Sequence, residues 1–122
     1  MAWNVAGGFG DGDWVLAGDC NHHPRWDKGN ARWDFGSLVR AYADRGMVSA
    51  WHTHHDVAIG DPAEPATHWH TYNRDKPSML DWCFIPAAWR DRLVGVWIGD
   101  YDHWGSGDIK SDHAPMVIDL AI

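Results

Sequence analysis

Cysteine is scarce: the chain has only Cys20 and Cys83, with no Cys-x-x-Cys spacing. That pair builds no thiolate metal cage. With no basic stretch leading into an apolar one near Met1, reduced thiols in a cytoplasmic protein are the expectation. No run approaches the ~18 consecutive apolar residues of a membrane-spanning helix, so no membrane partner is expected. Clusters of Lys and Arg are missing as well. Ten basic residues stand against seventeen acidic ones, giving a net charge of −7 and a pI near 5.6. Duplex binding rests on cations that neutralise phosphates, so this balance argues against a tight, sequence-blind duplex binder. Small phosphoesters or short oligonucleotides, met through a bound cation, fit the charge better. Glutamate is nearly absent, Glu64 being the only one.

Tryptophan and histidine are abundant instead, at ten and nine residues. The 122 residues suffice for one domain, since a chain of this size buries roughly two-thirds of its unfolded surface. Val15 to Ala17 reads as a short strand ended by Gly18, with further strands at Met47 to Trp51, Leu80 to Ile85, Leu93 to Ile98 and Met116 to Leu120. Leu38, Val39 and Tyr42 recur at helical spacing between an N-cap at Asp34 and a stop at Gly46. Thr67 to Tyr72 alternates, and the turn at Asn73 to Pro77 should fold it as an antiparallel hairpin onto Leu80 to Ile85. His22 to Arg32, His52 to Ala66 and Tyr101 to Lys110 read as loops, and Pro86 opens a short helical turn. The class is α+β, with a mostly antiparallel sheet packed by one clear helix.

Three of the strand-like runs end in or begin with residues that carry chemistry: Asp19 and Asn21, Asp81, and Asp112 with His113. Three converging carboxylates repel by ~4 kcal/mol per pair at 4 Å and an effective dielectric of 20, so such a group takes up protons or binds a cation. Oxygen ligands without Cys favour Mg²⁺ or Mn²⁺ over Zn²⁺. A His paired with an Asp can act beside a phosphoryl oxygen while another Asp orients the attacking water.

Gly18-Asp19-Cys20-Asn21, Leu80-Asp81-Trp82-Cys83-Phe84 and Ser111-Asp112-His113-Ala114-Pro115 resemble, in order, three motifs of the endonuclease/exonuclease/phosphatase superfamily. These are the Gly-Asp-Phe-Asn turn, the Ile-Asp-Tyr-x-Phe strand and the terminal Ser-Asp-His-x-Pro of its C-terminal half. The family comprises metal-dependent phosphoesterases related to pancreatic deoxyribonuclease and the abasic-site exonucleases. The resemblance runs from Trp14 to Leu120 and implies that 1–122 is a single domain forming part of a four-layered α/β sandwich. It implies Asp19 for the water, Asn21 for the phosphate, His113 at the scissile group and Asp81 orienting His113. Asp112 and Asp19 would serve the cation, Mg²⁺ or Mn²⁺, and Thr67 a local structural or phosphate contact. Cys20, Leu80 and Trp82 depart from the family's Phe, Ile and Tyr as packing changes. The family's Glu metal ligand has no counterpart before Asp19. Trp3-Asn4-Val5 resembles the family's opening strand motif but lies so close to Asp19 that the intervening half would have to be missing. The expectation is therefore an incomplete domain.

Other readings attach to the same residues. A truncated, non-catalytic domain would leave one sheet face uncovered and could form a homodimer through it. His52, His54 and His55 with His68 and His70 could build a nitrogen-rich zinc or nickel site. Trp26, Trp33 and Trp104 sit in polar stretches, where they either stack on a substrate base or anchor loops.

Overall fold

The computed structural model describes residues 13–108 and 110–121, so Trp3-Asn4-Val5 lies outside the described residues. The fold is α+β, and every strand pairing among the described residues is antiparallel. Among the described residues, seven strands form three separate sheets: β1 (Leu16–Asp19), β2 (Met47–Ser49), β3 (His68–Trp69), β4 (Pro77–Ser78), β5 (Asp81–Pro86), β6 (Leu93–Ile98) and β7 (Met116–Leu120). β5 is central, flanked by β1 and β2, while β3 pairs β4 and β6 pairs β7.

The sequence explains why β5 is central. Trp82, Cys83, Phe84, Ile85 and Pro86 are consecutive buried residues, the unbroken apolar pattern of a strand covered on both faces. Helix α1 (Phe35–Asp44) covers one of them, with Phe35 against Trp82 and Tyr42 against Phe84, ring centroids 4.8 Å apart in both pairs. Its N-terminus is capped otherwise than expected. Asp34 holds the Lys28 amide, and Asp27 accepts hydrogen bonds from the Phe35 and Gly36 amides at 2.7 and 2.8 Å. Gly46, at φ 72°, ends the helix turn as the sequence suggested.

Three elements differ from the sequence reading. The strand from Met47 stops at Ser49, and helix α2 (Ala50–His55) follows, closed by Asp56 in the left-handed region. Trp51 and His52 are thereby turned into the core and His55 reaches the Val96 carbonyl, an arrangement strand alternation does not produce. Thr67 to Tyr72 extends only over His68–Trp69, because Thr71 and Tyr72 have positive φ within a 3-10 turn. The hairpin therefore closes on Pro77–Ser78 rather than on β5. A short helix, α3 (Tyr101–Trp104), starts the Tyr101 to Lys110 stretch, capped by Asp100 through the His103 amide. No helix among the described residues is long and apolar enough to cross a membrane.

Candidate functional site

Asp19 is the last residue of β1 and Asp81 the first of β5, and the register sets them directly opposite each other. Two facing carboxylates are unfavourable unless a positive group or a proton lies between them. The third motif brings that group. The Trp69 amide donates to the Asp112 carbonyl, the Ala114 amide to the Thr67 carbonyl, and His68 bridges His113, fastening 112–114 beside β3. His113 Nδ1 then lies 2.8 Å from Asp81 Oδ2, and its Nε2 faces Asp19 Oδ2 at 3.8 Å. A hydrogen bond from Nδ1 to the Asp81 carboxylate fixes the ring and turns Nε2 outward.

Local chemistry holds each carboxylate in place. Asp19 Oδ1 accepts from the Asn21 amide at 2.7 Å, an Asx turn that leaves Oδ2 toward His113. Asn21 sits at φ 48°, a left-handed position that Asn tolerates, so it enters the site through its backbone while its side chain is exposed. Thr67 is fully buried, and its hydroxyl oxygen accepts from the Leu80 and Asp81 amides at 2.9 and 3.0 Å. It sets the start of β5, and hence Asp81, which is a structural role. Asp112 stands half-exposed, its Oδ2 3.8 Å from His68 Nε2.

The electrostatics are those of an acidic pocket. Burial opposes protonation of His113, but the hydrogen bond and charge of Asp81, with Asp19 and Asp112, outweigh it and hold its pKa above the ordinary value. Burial and the neighbouring His113 push His68 down. Burial, then Asp19 and Asp81, raise the Cys20 thiol to about 11. Among the described residues no Lys or Arg pairs with Asp19, Asp81 or Asp112. An anionic substrate here therefore needs a protonated imidazole or a bound cation. A groove of about 370 Å³ lined by Ala17, Gly18, Ala114, Pro115 and Met116 opens beside Asp81, giving room for an apolar group next to the polar cluster.

The resemblance implies Mg²⁺ or Mn²⁺ near Asp112 and Asp19. Among the described residues, two groups place ligand atoms within 4.8 Å of one another: Asp19 with Asp81 and His113, and His68 with Asp112 and His113. Both contain an imidazole, and Asp19 and Asp112 fall in different groups. Neither makes the all-oxygen octahedral shell that Mg²⁺ prefers.

Glu64 has another task. Its carboxylate, with the side chain 2% exposed, lies 2.6 Å from His23 Nε2 and 2.8 Å from His52 Nε2, and accepts from the Gly60 amide. The Arg25 amide donates to His23 Nδ1, so that ring is neutral with its proton on Nε2, pointing at Glu64. Ser49 Oγ meets His52 Nδ1 at 2.7 Å, and the His52 ring stacks on Trp82, next to Asp81. This buried clamp escaped the sequence reading; the only available signal was that the sole Glu sits between Pro62 and Pro65. It also dissolves the His-rich cluster. His52 is committed to Glu64, His55 to Val96, and of the five histidines considered only His68 reaches the candidate site. Trp26 and Trp33 are exposed, while Trp104 packs over Gly99 beside Pro115 as a loop anchor. No protein-family model matches the chain, and no curated protein matches it.

Proposed function

We propose that this end of the sheet is a phosphoester-hydrolysing site, in a domain corresponding to part of the endonuclease/exonuclease/phosphatase sandwich. The observation that carries the reading is the meeting of Asp19, Asp81 and His113, one from each of three sequence motifs, with Asp81 bonded to His113 across 32 residues of chain. Asp19 Oδ2 orients the water and takes its proton as the water oxygen bonds to phosphorus. His113 Nε2 meets a phosphoryl oxygen, and Asp81 keeps the ring aligned. The leaving oxygen departs with the bonding pair and is protonated by solvent. Asn21 fixes Asp19 through its backbone amide, and Asp112 adds a carboxylate beside His113.

The substrate class that fits is a small phosphoester or short oligonucleotide with an apolar group for the groove beside Asp81. Asp81→Asn tests the assignment, because it removes the charge that aligns His113 and leaves the shape intact. Hydrolysis of a generic phosphodiester should fall by about 10²-fold or more, in the range that a positioned acid or base contributes. An unchanged rate overturns the role of His113.

A second reading, a non-catalytic domain that pairs with its own copy, draws on Trp97 and Val117. They are register partners on β6 and β7 and are both more than half exposed. Sedimentation separates the readings. A dimer that Trp97→Ser dissociates supports the second, and a monomer removes it.

A further inference from the structure

The imidazole of His68 is the part of this site that neither the sequence motifs nor the hydrolytic reading uses. Its backbone is bridged to that of His113, and the two rings lie 4.7 Å apart, so both imidazoles are delivered to one place by the same pairing. His68 Nε2 faces Asp112 Oδ2 at 3.8 Å, beyond hydrogen-bond distance. Among the described residues His68 Nδ1 is buried without a hydrogen-bond partner, which leaves Nε2 as the ring atom turned to Asp112. His113 is pinned through Nδ1 by Asp81, leaving Nε2 as its outward atom. A carboxylate behind the imidazole is the arrangement that orients metal-ligating histidines and raises their basicity.

We propose that His68, Asp112 and His113 form a binding site for a transition-metal dication of the Zn²⁺ type, in preference to Mg²⁺. Two imidazole nitrogens and one carboxylate are the donor set of borderline metals, whereas Mg²⁺ takes oxygen donors and keeps its waters. The spacing agrees. Bonds of about 2.0–2.1 Å at tetrahedral angles put ligand atoms ~3.3 Å apart. The 3.8 Å between His68 Nε2 and Asp112 Oδ2 thus closes with a shift of a few tenths of an ångström. Three protein ligands leave a fourth position to water, an open rather than a structural site. An ion there occupies His113 Nε2, so it excludes a phosphoryl oxygen from the same atom and opposes the hydrolytic use of His113. The metal site stands on its own geometry, whether or not the chain hydrolyses phosphoesters.

The test is calorimetry of the full chain with Zn²⁺ alone and with Mg²⁺ alone. The first Zn²⁺ equivalent should bind far more tightly than Mg²⁺. His68→Asn and Asp112→Asn should weaken it by roughly tenfold or more, and Asp81→Asn, acting through His113, by about 10–100-fold. His103→Ala, at an exposed His bonded to Asp100 outside the cluster, should leave it unchanged. Imidazole ¹⁵N spectra of the wild-type chain serve where a variant does not fold. There the first equivalent should shift the His68 and His113 resonances together. Zn²⁺ affinity unaltered in His68→Asn and Asp112→Asn, or shifts confined to other histidines, overturns the site, and so does Mg²⁺ binding as tight as Zn²⁺.

Discussion

Two side chains around the site, Thr67 and Cys20, carry consequences larger than their size. Thr67 has no exposure, and its hydroxyl satisfies two backbone amides at the start of β5. Thr67→Val keeps the shape and orphans both donors, so it should destabilise the fold by about 2–4 kcal/mol, since each buried unsatisfied group costs about 1–3 kcal/mol. Thr67→Ser, which keeps the oxygen, should cost much less. Urea unfolding of the two variants measures the difference, and equal losses contradict the hydrogen-bond account. Cys20 reports the potential of the site, because burial and the charges of Asp19 and Asp81 raise its thiol from 9.0 to about 11. At pH 8 its thiolate fraction is then about 100-fold lower than that of an unperturbed cysteine, while the higher basicity returns about tenfold in nucleophilicity. Alkylation by iodoacetamide should run about tenfold slower than at a free thiol, and Asp19→Asn should accelerate it. Reaction at the free-thiol rate removes the acidic pocket.

At the scale of elements, the Glu64 clamp ties the loop between α2 and β3 to the core, and it makes the fold sensitive to acid. Burial lowers the pKa of His23 and of His52 below 6.5, against the opposing pull of Glu64. Burial raises that of Glu64, but the Gly60 amide, His52 and His23 outweigh it and bring it below 4.5. Groups that bind protons more weakly when folded contribute stability that is full at high pH. The histidine contributions are lost as pH falls from 6.5 through their folded values, and the Glu64 contribution is lost below 4.5. Thermal unfolding should therefore shift downward steadily from about pH 6.5. Glu64→Gln should be destabilised by about 1–3 kcal/mol at pH 7.5, the cost of leaving a buried hydrogen-bonding group without its partner. It should also lose stability more steeply as pH falls from 6.5 to 4.5, because Glu64 no longer opposes the burial that lowers His23 and His52. The same pH profile in the wild-type chain and in Glu64→Gln contradicts the clamp.

The same elements show what the sequence could reveal. β5, β6 and β7 were legible because their apolar runs are long and bounded, and α1 because Leu38 and Tyr42 mark one face. The α1 cap was not legible, since Asp27 reaches it from eight residues upstream. Nor was α2, because Ala50, Trp51 and His52 are apolar or ambivalent in either conformation and the contacts that suit the helix, His52 with Glu64 and His55 with Val96, come from distant residues. The meeting of Asp19, Asp81 and His113 was legible from their places at the ends of strand-like runs. His68 was visible only as one of many histidines, because its value comes from a bridge to a residue far along the chain.

At the scale of the molecule, three small antiparallel sheets meet so that the ends of β1 and β5 and the segment before β7 share one corner. On the proposed reading the chemistry belongs to that corner and to His113 within it. Turnover there should be slow, because a well-anchored cation contributes several kcal/mol of transition-state stabilisation and each 1.36 kcal/mol is tenfold in rate. No group of three carboxylates gathers to anchor such a cation among the described residues. A rate roughly 10³-fold or more below that of a fully liganded metal site follows. The most direct measurement is prolonged hydrolysis of bis(4-nitrophenyl) phosphate by high concentrations of the chain with Mg²⁺ or Mn²⁺, beside His113→Ala and Asp19→Ala prepared identically. The account predicts slow release of nitrophenol by the wild-type chain and background release by both variants. Release that survives both substitutions, or none above background in the wild type, contradicts it.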